Sequence, residues 1–183
     1  MPRKPSLTFQ VPPSVVKRPK IAIVGCYPTT WEAAPYADLS WEVWGFSRRN
    51  MGNLPRCDKW FELHSELNFQ RYGRDIKGYE EYLKQPFVVK QRDFPKAELV
   101  EEFGPYFFGA GQASWLFAYA IMREASEIGL WGIEAVDIYA SQKYEIQHFA
   151  QVAADRGIEV IVPDGCTLLA PRPFYGFESN KTH

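Results

Sequence analysis

The 183-residue sequence has few cysteines, almost no net charge and no long apolar run. Its three cysteines, Cys26, Cys57 and Cys166, are odd in number and share no metal-ligand spacing, which argues against a disulfide framework and against a metal site. Because 21 basic side chains are balanced by 22 acidic ones, no positive excess exists to follow a phosphodiester backbone, which argues against a nucleic-acid partner. No segment reaches the roughly 18 apolar residues that span a bilayer. These absences predict no membrane partner and, by elimination, a cytoplasmic location.

The length suits one domain with irregular ends. Residues 1–19 contain five prolines and are interpreted as a flexible Pro-rich arm. The basic residues of this arm are not followed by an apolar run, so it has the pattern of neither a signal peptide nor an anchor. Residues 20–171 form the expected folded domain. Residues 172–183 form a C-terminal tail whose aromatic side chains could dock on a second subunit, so a homo-oligomer is possible.

Short apolar segments alternate with helix-like segments along residues 20–171. The predicted strands are 21–24, 41–46, 59–63, 86–89, 128–133 and 158–162. The predicted helices are 75–84, 112–127 and 143–155. This alternation predicts an α/β, Rossmann-like domain with a mostly parallel, twisted sheet of about six strands and helices on both faces. Ligands of such sheets lie beyond the carboxyl ends of the strands, so the loops that follow the strands are the place to look for function.

The loop after the first predicted strand carries groups that suit a phosphate. Gly25 would let the backbone approach a ligand closely, while Thr29 and Thr30 add hydroxyl donors to the loop amides. Tyr27 could stack on a base, although an aromatic side chain is more often part of a core or an interface. The segment is neither a Walker loop nor a GxGxxG motif, and an ordinary turn explains it equally well.

Two further loops offer polar groups at the same predicted edge. Ser47, Arg48 and Asn50 follow the second strand and could grip a phosphate, a ribose or a base edge, although loop arginines are often merely solvated. Gly111 and the small residues around it open the longest predicted helix, where unpaired amides and the helix dipole favour an anion. The ligand-binding candidates that this helix start adds are Gly111, Gln112 and Ser114.

Acid–base candidates are Glu134, Asp137 and His64. Glu134 and Asp137 follow the fifth strand and could accept ribose hydroxyls or act as a base; helix capping or solvation is the alternative. Tyr144 follows them as a further ligand-binding candidate. His64 follows the third strand and is the one histidine considered as an acid or base, with Glu62 too weak a companion to indicate a metal site. His148, opposite an apolar stripe, is expected to be solvated.

The segment from Gln112 to Leu169 resembles the C-terminal half of the bacterial sialyltransferase family that includes Campylobacter lipooligosaccharide enzymes. It is also similar to pterin pyrophosphokinase-like proteins of archaea. The matching text is EIGLWGIE at residues 127–134 and VPDGCTLL at residues 162–169, and residues 25–30 echo the family's opening loop. The resemblance implies a Rossmann-like nucleotide-binding domain over residues 20–171. By general character the chain is also similar to small bacteriophage proteins, which would place it in the cytoplasm of an infected host.

The sequence departs from the sialyltransferase pattern at the base. The position that matches the family's catalytic histidine lies near Ala140, and no histidine stands there. Loss of a general base costs about two to four orders of magnitude in rate, so the same sialyl transfer is not expected. Two hypotheses remain open: a glycosyltransferase-like transferase that uses a nucleotide-activated donor, and a non-catalytic phage protein that sequesters a nucleotide or cyclic nucleotide. Beyond a nucleotide or nucleotide-sugar ligand, no cofactor is implied.

Overall fold

A six-stranded, all-parallel sheet forms the centre of the protein. The structure is a computed structural model that describes residues 18–65, 78–134 and 140–171. The strands are β1 Lys20–Val24, β2 Trp41–Gly45, β3 Lys59–Glu62, β4 Val88–Lys90, β5 Glu127–Trp131 and β6 Glu159–Ile161. Their order across the sheet is β4-β3-β2-β1-β5-β6. The predicted α/β class and all six predicted strands are confirmed, with ends shifted by one or two residues.

Four α-helices and three short 3-10 helices surround this sheet in the described residues. The α-helices are α1 Tyr79–Tyr82, α2 Lys96–Phe103, α3 Gln112–Met122 and α4 Ala140–Asp155. The 3-10 helices are Trp31–Ala33, Arg48–Asn50 and Gln91–Asp93. The helix α2 was not predicted from the sequence, and α3 ends at Met122, five residues before the predicted end. None of the helices in the described ranges is long and apolar enough to cross a membrane.

The strand β1 is buried on both faces of the sheet, as its continuous apolar run predicted. Ile21 and Ile23 pack into the core beneath α2, α3 and α4, where Phe61, Leu116 and Phe149 are also buried. The opposite face carries Ala22, Val24, Trp41, Val43 and Trp131, covered by the segment that follows β1. The helix α1 covers the β3 end of this second face through the rings of Tyr79 and Tyr82 on Trp60. Helices therefore lie on both faces.

Strand order reverses direction between β1 and β5. The chain moves outward from β1 through β2 and β3 to β4, and then returns to place β5 on the other side of β1. Ligands of parallel sheets collect at the carboxyl ends of the strands beside such a reversal. The loops after β1 and β5 therefore occupy the predicted position for a site.

The segment between α2 and α3 runs along α4. This contact corrects the expectation that His148 is solvated. The ring of Phe107 stacks on His148 with the centroids 3.6 Å apart and the planes 10° from parallel. His148 is therefore packed against an aromatic ring rather than fully solvated, and partial burial lowers its pKa. Residues 1–17 of the predicted arm, the tail 172–183, residues 75–77 of a predicted helix and Asp137 lie outside the described residues.

Candidate functional site

The loops after β1 and β5 are hydrogen-bonded to each other at the carboxyl edge of the sheet. The amide of Gly25 donates to the carbonyl of Trp131 at 2.8 Å, and the amide of Tyr27 donates to the carbonyl of Gly132 at 3.0 Å. A side chain at Gly25 would overlap the carbonyl oxygen of Gly132. The glycine is thus required by close packing of two backbones, and the two amides serve the fold rather than a phosphate.

Thr30 connects the same two loops through its side chain. Its hydroxyl accepts from the amide of Gly132 at 2.9 Å and donates to the carboxylate of Glu134 at 3.3 Å. Thr30 is buried, whereas Glu134 is partly exposed. Burial, and secondarily the nearby charge of Glu134, raises the pKa of the Cys166 thiol. Glu134 therefore stands at the edge, positioned by Thr30 and with Cys166 beside it; Thr29 and Tyr27 are exposed in the adjoining turn.

The segment after β2 reaches the same edge through Asn50. Its side-chain amide is buried and donates to the carbonyl of Gly25 at 2.6 Å, which ties the 3-10 helix Arg48–Asn50 to the end of β1. Ser47 and Arg48 precede Asn50 and are partly exposed. Burial raises the pKa of the Tyr79 phenol, and the positive charge of Arg48 opposes that shift. Asn50 therefore ties the segment after β2 to the end of β1.

An internal carboxylate occupies the backbone donors of the loop that immediately precedes α3. Oε1 of Glu145 accepts from the amides of Gly109 and Ala110 at 2.8 and 2.9 Å, and Oε2 accepts from the hydroxyl of Ser114 at 2.5 Å. Ser114 is fully buried. Glu145 of α4 therefore ties the loop before α3, and Ser114 of its first turn, to α4. The N-cap position Gly111 has no side-chain hydrogen bond, and the anion site predicted at this helix start stays a prediction.

Two other predicted residues at this helix start also make internal contacts. A side chain at Gly111 would overlap the carboxamide of Gln142, and that carboxamide donates to the carbonyl of Ala110 at 3.0 Å. Oε1 of Gln112 accepts from the amide of Leu63 at 2.7 Å and so fixes α3 to the end of β3. Gly111 and Gln112 are thus packing residues. Tyr144, on the first turns of α4, is exposed.

A hydrogen-bonded carboxylate, imidazole and phenol lie at the carboxyl end of β3. Oε1 of Glu62 accepts from the amide of His64 at 3.0 Å and lies 2.5 Å from Nδ1 of the same residue. The phenol of Tyr79 donates to Oε2 of Glu62. The side chain of His64 is 39% exposed, whereas that of Glu62 is only 5% exposed. A half-exposed imidazole is therefore held by a buried carboxylate, the arrangement that an oriented general base requires.

The electrostatics of this group keep the carboxylate ionised. Burial raises the pKa of Glu62, but the hydrogen bonds from His64 and Tyr79 and the charge of His64 outweigh burial, so the pKa lies below its ordinary value. Burial, followed by the charge of Glu62, raises the pKa of Tyr79, which keeps the phenol protonated. The sequence showed Glu62 and His64 two residues apart, but no local signal identified Tyr79 as their partner.

The described residues contain no cluster of three or more histidine, cysteine, aspartate or glutamate side chains that could hold a metal ion. A shallow, open concavity follows residues 92–101 at the start of α2, away from all the predicted site residues. The predicted residues that the structure brings together fall into two groups. One joins Gly25, Thr30, Asn50 and Glu134 beside β1 and β5, and the other is His64 with its partner Glu62 beside β3.

No protein-family model matches the sequence, and no curated protein is significantly similar to it. Solved structures share its architecture. Thiamine pyrophosphokinase from Bacillus subtilis is 12% identical with a TM-score of 0.48, over 80% of this chain and 60% of the pyrophosphokinase chain. The sialyltransferase CstII from Campylobacter jejuni is 12% identical in complex with the substrate analogue CMP-3FNeuAc, with a TM-score of 0.46 over 81% of this chain and 82% of that chain. In complex with a trisaccharide acceptor and CMP, its TM-score is 0.42.

These similarities concern the fold alone. The chain spans about 60% of the length of the pyrophosphokinase. The predicted resemblance to sialyltransferases and to a pyrophosphokinase is therefore confirmed as a distant structural similarity. The expected phage origin gains no support from these bacterial proteins.

Proposed function

We propose that the protein binds a nucleotide-bearing small molecule across the carboxyl edge of its sheet and that His64 is the base of a glycosyltransferase-like group transfer. The observation that carries this proposal is the 2.5 Å contact between Nδ1 of His64 and the buried carboxylate of Glu62. A half-exposed imidazole with an ordered carboxylate behind it can take a proton from an acceptor hydroxyl as that oxygen bonds to the transferred group, while the bond to the donor's phosphate breaks and the nucleotide leaves with the bonding electrons.

Among the three predicted acid–base residues, the geometry favours His64. The carboxylate of Glu134 already accepts from Thr30, and in this proposal it holds ligand hydroxyls rather than removing a proton. Asp137 lies outside the described residues and keeps its predicted role, either as an acceptor of ligand hydroxyls or as a general base. A positioned general base contributes about two to four orders of magnitude in rate, which sets the size of the expected effect.

The ligand's position is proposed from a partly exposed cation that follows β2 and an exposed aromatic ring that follows β1. Arg48 supplies a planar cation for a phosphate beside β3, and Tyr27 offers an exposed ring beyond β1 on which a base can stack. Neighbouring strands lie about 4.8 Å apart, so β1 and β3, separated by β2, are about 10 Å apart. A nucleotide laid across this edge can reach both. Gly111 and Ser114 are left out of the ligand site because α4 covers them.

A second candidate is favoured by the state of the backbone donors. The amides of Gly25, Tyr27, Gly109 and Ala110 are all bonded within the protein, so the loops offer a phosphate fewer donors than the sequence suggested. This observation favours a binding protein that retains a nucleotide without converting it. In that case His64 contributes a hydrogen bond and no chemistry.

One experiment separates the two candidates. The full chain is screened by thermal shift against nucleotides, nucleotide sugars and cyclic dinucleotides, where ligand at 100 times Kd stabilises the fold by about 2.7 kcal/mol. Each ligand that binds is then incubated with protein, with and without simple sugars, and analysed by chromatography. A converted product that His64→Ala forms at least about a hundredfold more slowly, with Kd little changed, supports the transferase. Intact ligand supports the binding protein, and an equal rate in His64→Ala removes His64 from the chemistry.

The role of Arg48 is tested in the same assay. Arg48→Ala is expected to weaken binding by about tenfold or more, because a charge-assisted hydrogen bond to phosphate contributes roughly 1.5–3 kcal/mol. Arg49→Ala is the matched control, since Arg49 is the adjacent residue and is exposed. Equal affinities of the two variants would remove Arg48 from the site.

A further inference from the structure

The direction of every hydrogen bond around Glu62 is fixed by the chemistry of its partners. Nε1 of Trp60 lies 3.2 Å from the phenol oxygen of Tyr79, and an indole nitrogen can only donate. The ionised carboxylate of Glu62 can only accept. The phenol of Tyr79 therefore accepts from Trp60 and donates to Oε2 of Glu62, and Nδ1 of His64 donates to Oε1.

We propose that Tyr79 is a positioning residue: by donating to Oε2 of Glu62 it anchors the carboxylate with Oε1 facing Nδ1 of His64, and this anchored acceptor fixes the tautomer in which Nε2 is the unprotonated, proton-accepting nitrogen. The chemical use of this tautomer rests on the proposed function, whereas the tautomer itself does not. Tyr79 and Trp60 are both fully buried, and the indole of Trp60 holds the phenol of Tyr79 by a hydrogen bond. It does not need to touch a ligand.

The fold makes this arrangement depend on two separate elements. Glu62 and His64 belong to β3 and the loop that follows it, whereas Tyr79 is the first residue of α1. The rings of Tyr79 and Tyr82 both pack edge-on against Trp60, at 6.5 and 5.1 Å between centroids. The aromatic contacts set where α1 docks, and the docked helix sets where the phenol meets the carboxylate.

The test is the tautomer of His64, read from its ring ¹⁵N chemical shifts. Spectra of the ¹⁵N-labelled full chain are recorded at alkaline pH, well above the ordinary imidazole pKa of about 6.5. The wild-type protein is expected to show Nδ1 protonated and Nε2 unprotonated. The opposite tautomer overturns the proposal. An enzymatic assay that finds no activity while this tautomer is present contradicts the proposed function and leaves the positioning role intact.

Two variants isolate the contribution of Tyr79. In Glu62→Gln the side chain keeps one acceptor oxygen, for which the phenol of Tyr79 competes with the backbone amide of His64. Control by Tyr79 predicts that the phenol keeps this oxygen, so that the amide NH₂ faces Nδ1 and the tautomer inverts. In Glu62→Gln combined with Tyr79→Phe, the amide is free to rotate and the original tautomer is expected to return at least in part. If Glu62→Gln keeps the wild-type tautomer, Tyr79 does not control the group.

A single-site variant and its control complete the test. Tyr79→Phe in the wild-type background is expected to mix the two tautomers, because the carboxylate loses its anchor at Oε2 and can move away from Nδ1. Tyr82→Phe removes a hydroxyl from the same helix and the same aromatic cluster and is expected to leave the tautomer unchanged. Equal spectra of these two variants would contradict the proposal. Should Tyr79→Phe fail to fold, the wild-type and Glu62→Gln tautomers still decide it.

Discussion

Oε2 of Glu145 accepts a 2.5 Å hydrogen bond from the hydroxyl of Ser114, and both side chains are buried between α3 and α4. The other carboxylate oxygen accepts from two backbone amides that precede α3. The carboxylate of Glu145 on α4 therefore holds the loop before α3 and the buried hydroxyl of Ser114 in the first turn of α3. The structural role of this carboxylate is the basis of the first prediction.

Glu145→Ala is expected to destabilise the protein by about 3 kcal/mol, because two backbone amides and one buried hydroxyl lose their acceptor, with water recovering part of the loss. The measurement is the free energy of unfolding in urea. Glu98→Ala is the control, since Glu98 is an exposed glutamate on α2 and its loss is expected to cost less than about 0.5 kcal/mol. If the two variants unfold at the same urea concentration, the carboxylate does not hold the helix start.

Gly25→Ala is expected to cost about 2 kcal/mol or more, because the new methyl group overlaps the backbone carbonyl of Gly132. That carbonyl cannot move without breaking its bond from the amide of Tyr27. Gly109→Ala is the same chemical change at a site where the nearest atom, Oε1 of Glu145, lies 3.8 Å from the added carbon. Thermal unfolding of the two variants should differ by several degrees, and equal melting temperatures would refute the overlap.

The fold was predictable where local sequence specifies burial. The four apolar residues Ile21–Val24 indicated a strand covered on both faces, and the alternation of strand-like and helix-like segments indicated the parallel sheet. The helix Lys96–Phe103 escaped prediction because it is only eight residues long and its apolar stripe of Leu99, Val100 and Phe103 buries one residue completely, Leu99. Patterns locate elements that bury much surface and miss those that bury little.

The site was less predictable because its contacts join distant parts of the chain. The position of Gly25 after a buried strand was visible, but its partner Gly132 depends on β5 lying beside β1. The backbone amides of the glycine-containing loop before α3 were visible in the sequence, but their acceptor, Glu145, contacts them only because α4 packs against that loop. The spacing of Glu62 and His64 was visible, whereas the burial of Glu62 was not. Sequence spacing reports on residue chemistry and cannot report on which partner arrives from elsewhere.

Glu62→Gln is expected to reduce the loss of unfolding free energy that accompanies a fall in pH in the acid range. Since the folded-state pKa of Glu62 lies below its ordinary value of about 4.5, the stability it contributes is present above that value and is lost as pH falls through the folded-state pKa. The wild-type protein should therefore exceed the variant in unfolding free energy near neutrality, and the difference should shrink in acid. Urea unfolding across this range measures it. A difference that is independent of pH would mean that Glu62 does not titrate as inferred.

His148→Phe is expected to reduce the loss of stability on mild acidification. Partial burial against Phe107 lowers the folded-state pKa of His148 below the ordinary imidazole value of about 6.5, so its contribution is present above that value and is lost as pH falls below it. Phenylalanine keeps an aromatic ring on Phe107 and cannot be protonated. Urea unfolding of both proteins from about pH 8 to about pH 5 should give a shallower decline for the variant. Parallel curves would show that protonation of His148 is not coupled to unfolding. This pH range lies above the range in which Glu62 is protonated. One series of unfolding measurements across both ranges can therefore separate the effect of Glu62 on stability from that of His148.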